Sequence, residues 1–251
     1  MYIATAISGE ENYFNIINNN LDFHSVNALA FEEKMEDLPK GLDYKEKLRY
    51  IKENYGQTWR YYAKALGFSL LYGTTEFGLS KTLEVTKKEA KEIIDTFLER
   101  NKGINDYIES TKDFVCKNGY VENFAGQRVY LPDTKGFNRF NIKGRKTNKY
   151  YKALASLRFA INYRVQSANA FLLYEGMVKF FEKIKKLNLD VKLLCTIYDA
   201  VYLSIDKEVD SNLITDILKE SFEVDFKGLK MKIDITESDT GRWYDWENIQ
   251  L

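Results

Sequence analysis

Pro39 and Pro132 are the only prolines in the 251-residue chain, and no Ser/Gly-rich stretch or internal repeat interrupts it. No flexible linker is visible, so its organisation has to be read from hydrophobic periodicity. Cysteine is equally scarce: Cys116 and Cys195 have no spacing motif, which argues against a disulfide framework or a zinc site. An excess of one charge is missing too. Lys and Arg number 37, as do Asp and Glu, so no overall field draws the chain to a polyanion and any such attraction must be local. Apolar residues make up 45% of the chain, yet no uncharged apolar run approaches the roughly 20 residues that a membrane span needs. The opening MYIATAISGEE has no basic n-region and too short an apolar stretch for a secretory signal, so a cytoplasmic location is the expectation.

A chain of this length can bury a substantial core in one large or two modest domains. Residues 10–20 read as a short Asn-rich helix and residues 44–73 as a helix ending at Tyr72-Gly73. Thr86 and Glu89 form a capping-box pattern ahead of Ala90, Ile93, Ile94 and Phe97, with helical signal continuing to Lys117. The period then changes. GYVENFAGQRVYLP reads as two short strands around a turn near Ala125-Gly126, followed by a long helix from Ala153 to Leu187. KLLCTIYDAVYLSI supplies two apolar β-type runs, residues 208–222 a helix, and LKMKIDIT a strand. The expected class is α+β, a helical block followed by a block with antiparallel strands.

Four local features carry candidate chemistry. In WRYYAKALGFSLLYG, Trp59, Ala63, Leu66 and Leu70 form a core stripe at helical spacing, while Arg60, Lys64, Phe68 and Tyr72 recur every four residues on the opposite face. Two cations followed by two rings along about 18 Å of helix match the length of a nucleoside triphosphate. The plainer reading is two solvated charges and two rings packed on a neighbour. Asp199, between two apolar runs, is either a turn residue or a carboxylate at the tip of a buried hairpin offering oxygen to Mg²⁺. Arg158, Asn162, Gln166 and Asn169 share a helix face and suit either base-pair edges or caps inside a core. Residues 136–152, GFNRFNIKGRKTNKYYK, hold six basic residues, four aromatics and no acid, the pattern of a polyanion with stackable bases or of a solvated loop.

In this order the features resemble the polymerase domain of family A DNA polymerases, the group of bacterial polymerase I and related phage replicases. RYYAKALGFSLLYG is similar to motif B: Arg, three residues, Lys, three, Phe, three, Tyr-Gly, with Ser69 where Gly usually follows Phe. IYDAVYL resembles motif C, normally His-Asp-Glu, with Tyr198 and Ala200 as the flanking residues. GYVENFAGQRVYLP and LRFAINYRVQSANA resemble the segments around the template-primer, with Arg164 where Pro is usual. SGEENYFNIINNNLDFHSVNA resembles the stretch just after motif A.

The resemblance implies an incomplete right-hand fold: a palm fragment at 1–21, helical fingers at 22–118 and a C-terminal palm with an antiparallel sheet at 119–251. It implies template-directed nucleotidyl transfer from dNTP to a primer 3′ end. Asp199 would be a metal ligand and Lys64 a catalytic proton donor. His24, Arg60, Lys64, Phe68 and Tyr72 would hold the nucleotide, and Thr75, Arg128, Arg145, Lys146, Arg158, Asn162, Gln166 and Tyr198 would meet DNA. Motif A, with its metal-binding Asp and sugar-gating Glu, has no counterpart, nor do the thumb and exonuclease segments. The two-Mg²⁺ site would thus be completed by a separate N-terminal polypeptide, in a bacterial or phage-infected cytoplasm. Asp234 is a conceivable substitute carboxylate. A DNA-binding remnant without catalysis and a fragment of a single-subunit RNA polymerase are the competing expectations.

The basic segment is expected to follow phosphates without reading sequence. Neutralising Arg145 and Lys146 should flatten the logarithmic salt dependence of duplex DNA affinity by about 0.9 for each phosphate no longer neutralised by the protein. Unchanged affinity and slope would mark the segment as a solvated loop.

Overall fold

The computed structural model describes residues 2–138, 147–238 and 247–248, so Arg145 and Lys146 lie outside the described residues. The chain divides into two compact units, Met1–Gln166 and Ser167–Leu251. Helices α1 (Tyr2–Ser8), α2 (Glu11–Asn18), α3 (Phe23–Ala28), α4 (Tyr44–Asn54) and α5 (Trp59–Leu71) come first, followed by α6 (Glu76–Leu83), α7 (Lys87–Arg100) and α8 (Lys102–Asn118). The capping box expected at α7 is formed: Thr86 Oγ1 accepts from the Glu89 amide at 3.2 Å, and Glu89 Oε2 accepts from the Thr86 amide at 2.8 Å. Asp43 and Glu46 close a second box at α4.

The helix expected over 44–73 is two helices. It breaks at residues 55–58, where Gly56 weakens helical propensity by about 1 kcal/mol and the Thr58 and Arg60 amides both turn back to the Tyr55 carbonyl. The continuous signal to Lys117 also breaks, at Asn101, whose side chain bonds the Phe97 carbonyl at 2.9 Å. Glu10 accounts for the start of α8 beyond that break. Its carboxylate is buried, accepts from the Asn12 amide at 3.2 Å and from the Gly103 amide at 2.7 Å, and so caps α2 and α8 together. Gly103 permits the approach, because a Cβ there would stand 2.9 Å from Glu10 Cα.

Around this joint lies the main core. Ala63, Leu66 and Leu70 of α5 meet Phe31, Ile51, Leu79, Ile93, Phe97 and Ile104. A smaller cluster, Val115, Val121, Leu131, Leu157 and Ala160, seats the expected hairpin of β1 (Tyr120–Glu122) and β2 (Arg128–Tyr130) against α8 and the long helix α9 (Asn148–Lys186).

In the second unit, α9 continues beside the antiparallel hairpin of β3 (Val191–Ile197) and β4 (Ala200–Ile205) and helix α10 (Ser211–Phe222). Phe180, Ile184, Val191, Ile214 and Ile217 form its core. Gly176 lets α9 and α10 close up, since a Cβ there would fall 2.3 Å from the Phe222 ring. Past α10 the described residues form two-residue strands β5 (Asp225–Phe226), β6 (Leu229–Lys230), β7 (Thr236–Glu237) and β8 (Glu247–Asn248).

Two expectations are corrected in this unit. LKMKIDIT is not one strand: β6 and β7 flank residues 231–235, which alternate between half-buried and exposed but pair with no strand among the described residues. The β3–β4 hairpin is not buried either, with Leu193 42%, Leu194 63% and Ile197 39% exposed. Both differences share a cause. A strand needs a neighbour for its ladder, and β3 and β4 pair only with each other among the described residues.

Replacing Glu10 with Ala should destabilise the fold by about 1–3 kcal/mol, because it leaves the part-buried amides at the starts of α2 and α8 without their acceptor. Urea denaturation measures it. A loss below about 0.5 kcal/mol, the range of surface substitutions, would remove the double cap from the account of stability.

Candidate functional site

The rotation of α5 about its axis is set by its buried stripe, with Ala63 and Leu66 fully buried and Trp59 packed on Phe31 at a ring separation of 5.6 Å. The opposite row is therefore turned from the core. Lys64 is exposed, Tyr72 is 53% exposed, and Arg60 is half-buried. Phe68 occupies the same row of the helix, and its side chain lies outside the described residues.

Arg60 meets Asp22 in a two-pronged ion pair, Nε to Oδ2 at 3.0 Å and Nη2 to Oδ1 at 2.9 Å. Asp22 is also the N-cap of α3, accepting from the Ser25 amide at 2.9 Å and from the Ser25 hydroxyl. Burial alone would raise the Asp22 carboxyl, but the hydrogen bonds from Arg60 and Ser25 outweigh it and hold the group well below the usual carboxylate range. The Arg60 guanidinium is pushed up in return, first by its hydrogen bonds to Asp22. His24, two residues on, is half-buried and its imidazole is lowered, first by burial, then by the charge of Arg60 and more weakly of Lys64, with Asp22 opposing. The loop ahead of α3 thus brings His24 into the electrostatic reach of the two α5 cations.

The other end of α5 meets α9. The Gln166 amide donates to the Tyr72 hydroxyl at 3.0 Å, and the Arg158 side chain lies on Gly73, where a Cβ would fall 2.4 Å from Arg158 Cγ. Gly73 has φ +71°, so this contact and this turn both require glycine. Asn162, between Arg158 and Gln166 on the same row, is half-buried. Thr75 caps α6, its hydroxyl accepting from the Gly78 amide at 3.4 Å. Arg128 is tied locally: it donates to Glu122 across the hairpin at 2.5 Å and covers the Tyr120 ring at 4.6 Å. Arg164, a departure from the family pattern in which Pro is usual, braces α9 to α8, donating to Thr111 at 3.1 Å with its guanidinium 5.4 Å from the Tyr107 ring. Burial pushes the Tyr107 hydroxyl up to about 12, against the charge of Arg164, and that hydroxyl donates to the Ile161 carbonyl.

Asp199 belongs to the second unit. It is exposed at the two-residue turn of β3–β4, beside Tyr198, which is 95% exposed and holds φ +54°. A bulky residue in the left-handed region is strained, and such strain collects at functional turns. An exposed carboxylate on a tight turn suits one oxygen ligand of Mg²⁺, which binds through one or two carboxylates together with substrate phosphates. It is not a complete ligand set: among the described residues no three His, Cys, Asp or Glu side chains gather as a metal cluster. Asp234, the conceivable substitute, is exposed on the unpaired segment.

Sequence reading missed Asp22. Its Asp-Phe-His-Ser setting is a legible N-cap pattern, but nothing local announces a partner 38 residues away.

The chain belongs to DNA polymerase family A, which matches residues 1–245. It is 25% identical over 244 residues to DNA polymerase I of Caldicellulosiruptor bescii, covering 97% of this chain and 25% of that protein. It is 26% identical over 246 residues to DNA polymerase I of Bacillus subtilis, covering 97% and 24%. To DNA polymerase I of Streptococcus pneumoniae it is 31% identical over 185 residues, covering 73% and 19%. The chain therefore spans a quarter or less of the length of these relatives. Among solved structures, the POL domain of Pol1 from M. smegmatis, in complex with DNA primer-template and dNTP, aligns with a TM-score of 0.70 at 22% identity, covering 89% of this chain and 34% of that one. This likeness bears on the fold, which is α+β as expected: helices with small antiparallel sheets. No helix among the described residues is long and apolar enough to cross a membrane.

His24 is the only histidine, so its imidazole can be titrated by proton NMR as a single resonance. Its midpoint should lie below about 6.5, the unperturbed value. Arg60→Ala should raise it and Asp22→Asn should lower it further, because those charges act in opposite directions. The unfolded chain then binds this proton more readily, so folding loses stability as pH falls below about 6.5. Asp22 adds its own loss as pH falls through the ordinary carboxylate range near about 3.9, since its stabilisation is present above that range. A midpoint that moves with neither substitution would refute the electrostatic coupling.

Proposed function

We propose that the chain is the fingers (22–118) and C-terminal palm (119–251) of a DNA-directed DNA polymerase, with residues 1–21 a palm fragment following motif A. It takes part in DNA replication in a bacterial or phage-infected cytoplasm, adding nucleotides from dNTP to a primer 3′ end as a template directs. The observation that carries this reading is the meeting of Tyr72 and Gly73 with Gln166 and Arg158. The nucleotide-binding and template-primer segments, assigned separately by resemblance, come together there through side chains about 90 residues apart.

In this reading the triphosphate lies along α5, with Arg60 and Lys64 on its phosphates, His24 near the β-phosphate, Phe68 against sugar and base, and Tyr72 at the template base. Arg158, Asn162 and Gln166 lie along the primer-template, and Thr75, Arg128, Arg145, Lys146 and Tyr198 add DNA contacts. The primer 3′-hydroxyl releases its proton to solvent, and its oxygen forms a bond to the α-phosphorus as the α–β bridging P–O bond breaks. Lys64, one turn from Arg60, gives a proton to the departing pyrophosphate. Mg²⁺, when bound, supplies Lewis-acid stabilisation of the attacking and leaving oxygens, and Asp199 is the carboxylate this chain offers it. A second carboxylate then comes from a motif A segment outside these 251 residues. The exposed apolar side chains of β3 leave room for a neighbouring element from outside the described residues.

Primer extension with Mg²⁺ tests the reading. Synthesis is expected when the chain is mixed with a polypeptide ending in motif A, and not from the chain alone or from Asp199→Ala. Lys64→Ala in the mixture should raise the single-turnover barrier by about 2.7–4 kcal/mol while leaving DNA affinity nearly unchanged. Robust synthesis by the chain alone would remove the need for an external carboxylate. DNA binding without synthesis in any mixture would favour the catalytically inactive remnant.

A further inference from the structure

Arg60 and Lys64 sit one turn apart on α5 but are held differently. Lys64 is exposed and makes no ion pair among the described residues, whereas Arg60 is gripped by Asp22 through its Nε and Nη2 edge. That carboxylate is itself tied to its own helix. It caps α3, and its Oδ2 accepts from both the amide and the hydroxyl of the fully buried Ser25. Asp22 cannot follow Arg60 away from α3 without uncapping the helix.

We propose that Asp22 is a positioning residue for triphosphate recognition, mooring Arg60 so that its remaining guanidinium N–H groups are held ready for the phosphates of a nucleoside triphosphate. This rests on the reading of α5 as the nucleotide helix. A guanidinium carries five N–H donors, and the pair with Asp22 uses one at Nε and one at Nη2. Both hydrogens on Nη1 and the second on Nη2 stay outside it. The fork fixes the plane in which they lie, and ordering a long side chain before the ligand arrives lowers the entropy that binding has to supply. Lys64, free to turn, is suited to follow charge as it moves onto the leaving group; Arg60 is suited to set where the phosphates lie.

The opposite role, a counter-ion that the triphosphate must displace, predicts the opposite sign. Calorimetric titration of inorganic triphosphate into the 251-residue chain and its variants separates the two. Asp22→Asn keeps a good N-cap and loses the charged fork. It should weaken binding by about three- to tenfold, although it removes a negative charge from beside an anion. Ser25→Ala loosens the mooring with no change of charge and should weaken binding by about two- to threefold. Unfolding midpoints of both variants check that the fold is retained, and an effect on affinity that persists in the folded variants is not structural. Tighter or unchanged binding in folded Asp22→Asn, with Arg60→Ala still weakening it, would overturn the mooring and leave the nucleotide helix intact. Loss of affinity in neither Arg60→Ala nor Lys64→Ala would overturn both.

Discussion

Burial of Ala63, Leu66 and Leu70 sets the rotation of α5, and the candidate site follows from that rotation. Once these three side chains are in the core, residues four apart on the far side have one direction available, and Lys64 and Tyr72 are exposed there. A helix turned by one residue, about 100°, would drive Lys64 toward the core and take Tyr72 away from Gln166. The apolar stripe thus orders polar chemistry that it never touches.

Two carboxylates then join what the core alone would leave loosely related. Glu10 caps α2 and α8, and Asp22 caps α3 while gripping Arg60 on α5. In each case one acid satisfies helix-terminal amides and also reaches a group far along the chain, so local capping and tertiary registration are the same interaction. Such sites are economical and exposed to failure, because removal of the one side chain, as in a change to Ala, takes away both functions. Arg164 shows a different solution in the same unit. Where the family resemblance places Pro, an arginine holds α9 to α8 through Thr111 and Tyr107, and the helix runs on unbroken.

The second unit is less self-sufficient. Its core of Phe180, Ile184, Val191, Ile214 and Ile217 holds α9, α10 and the foot of the hairpin, while most of β3 stays exposed. A two-stranded ribbon is marginal without a third element on its face or edge. The strained, exposed Tyr198 and the exposed Asp199 stand at its tip, where a hairpin placed against a substrate would present them.

Sequence by itself determined the features that depend on neighbours within a few residues. The capping box at Thr86, the hairpin around Ala125-Gly126, the α5 stripe and the hairpin around Asp199 were legible because capping, turn formation and amphipathicity are short-range. The breaks at Gly56 and Asn101 were not, since the second depends on Glu10 reaching in from 93 residues away. Nor was the loss of strand in LKMKIDIT, whose alternation marks a strand only if a neighbour pairs with it. Within the site, spacing alone lined up Arg60, Lys64 and Tyr72. That Asp22 grips Arg60, that Gly73 carries Arg158, and that Tyr72 meets Gln166 were decided by tertiary structure, because hydrogen bonds between distant residues follow from how helices pack and leave no period in the sequence to read.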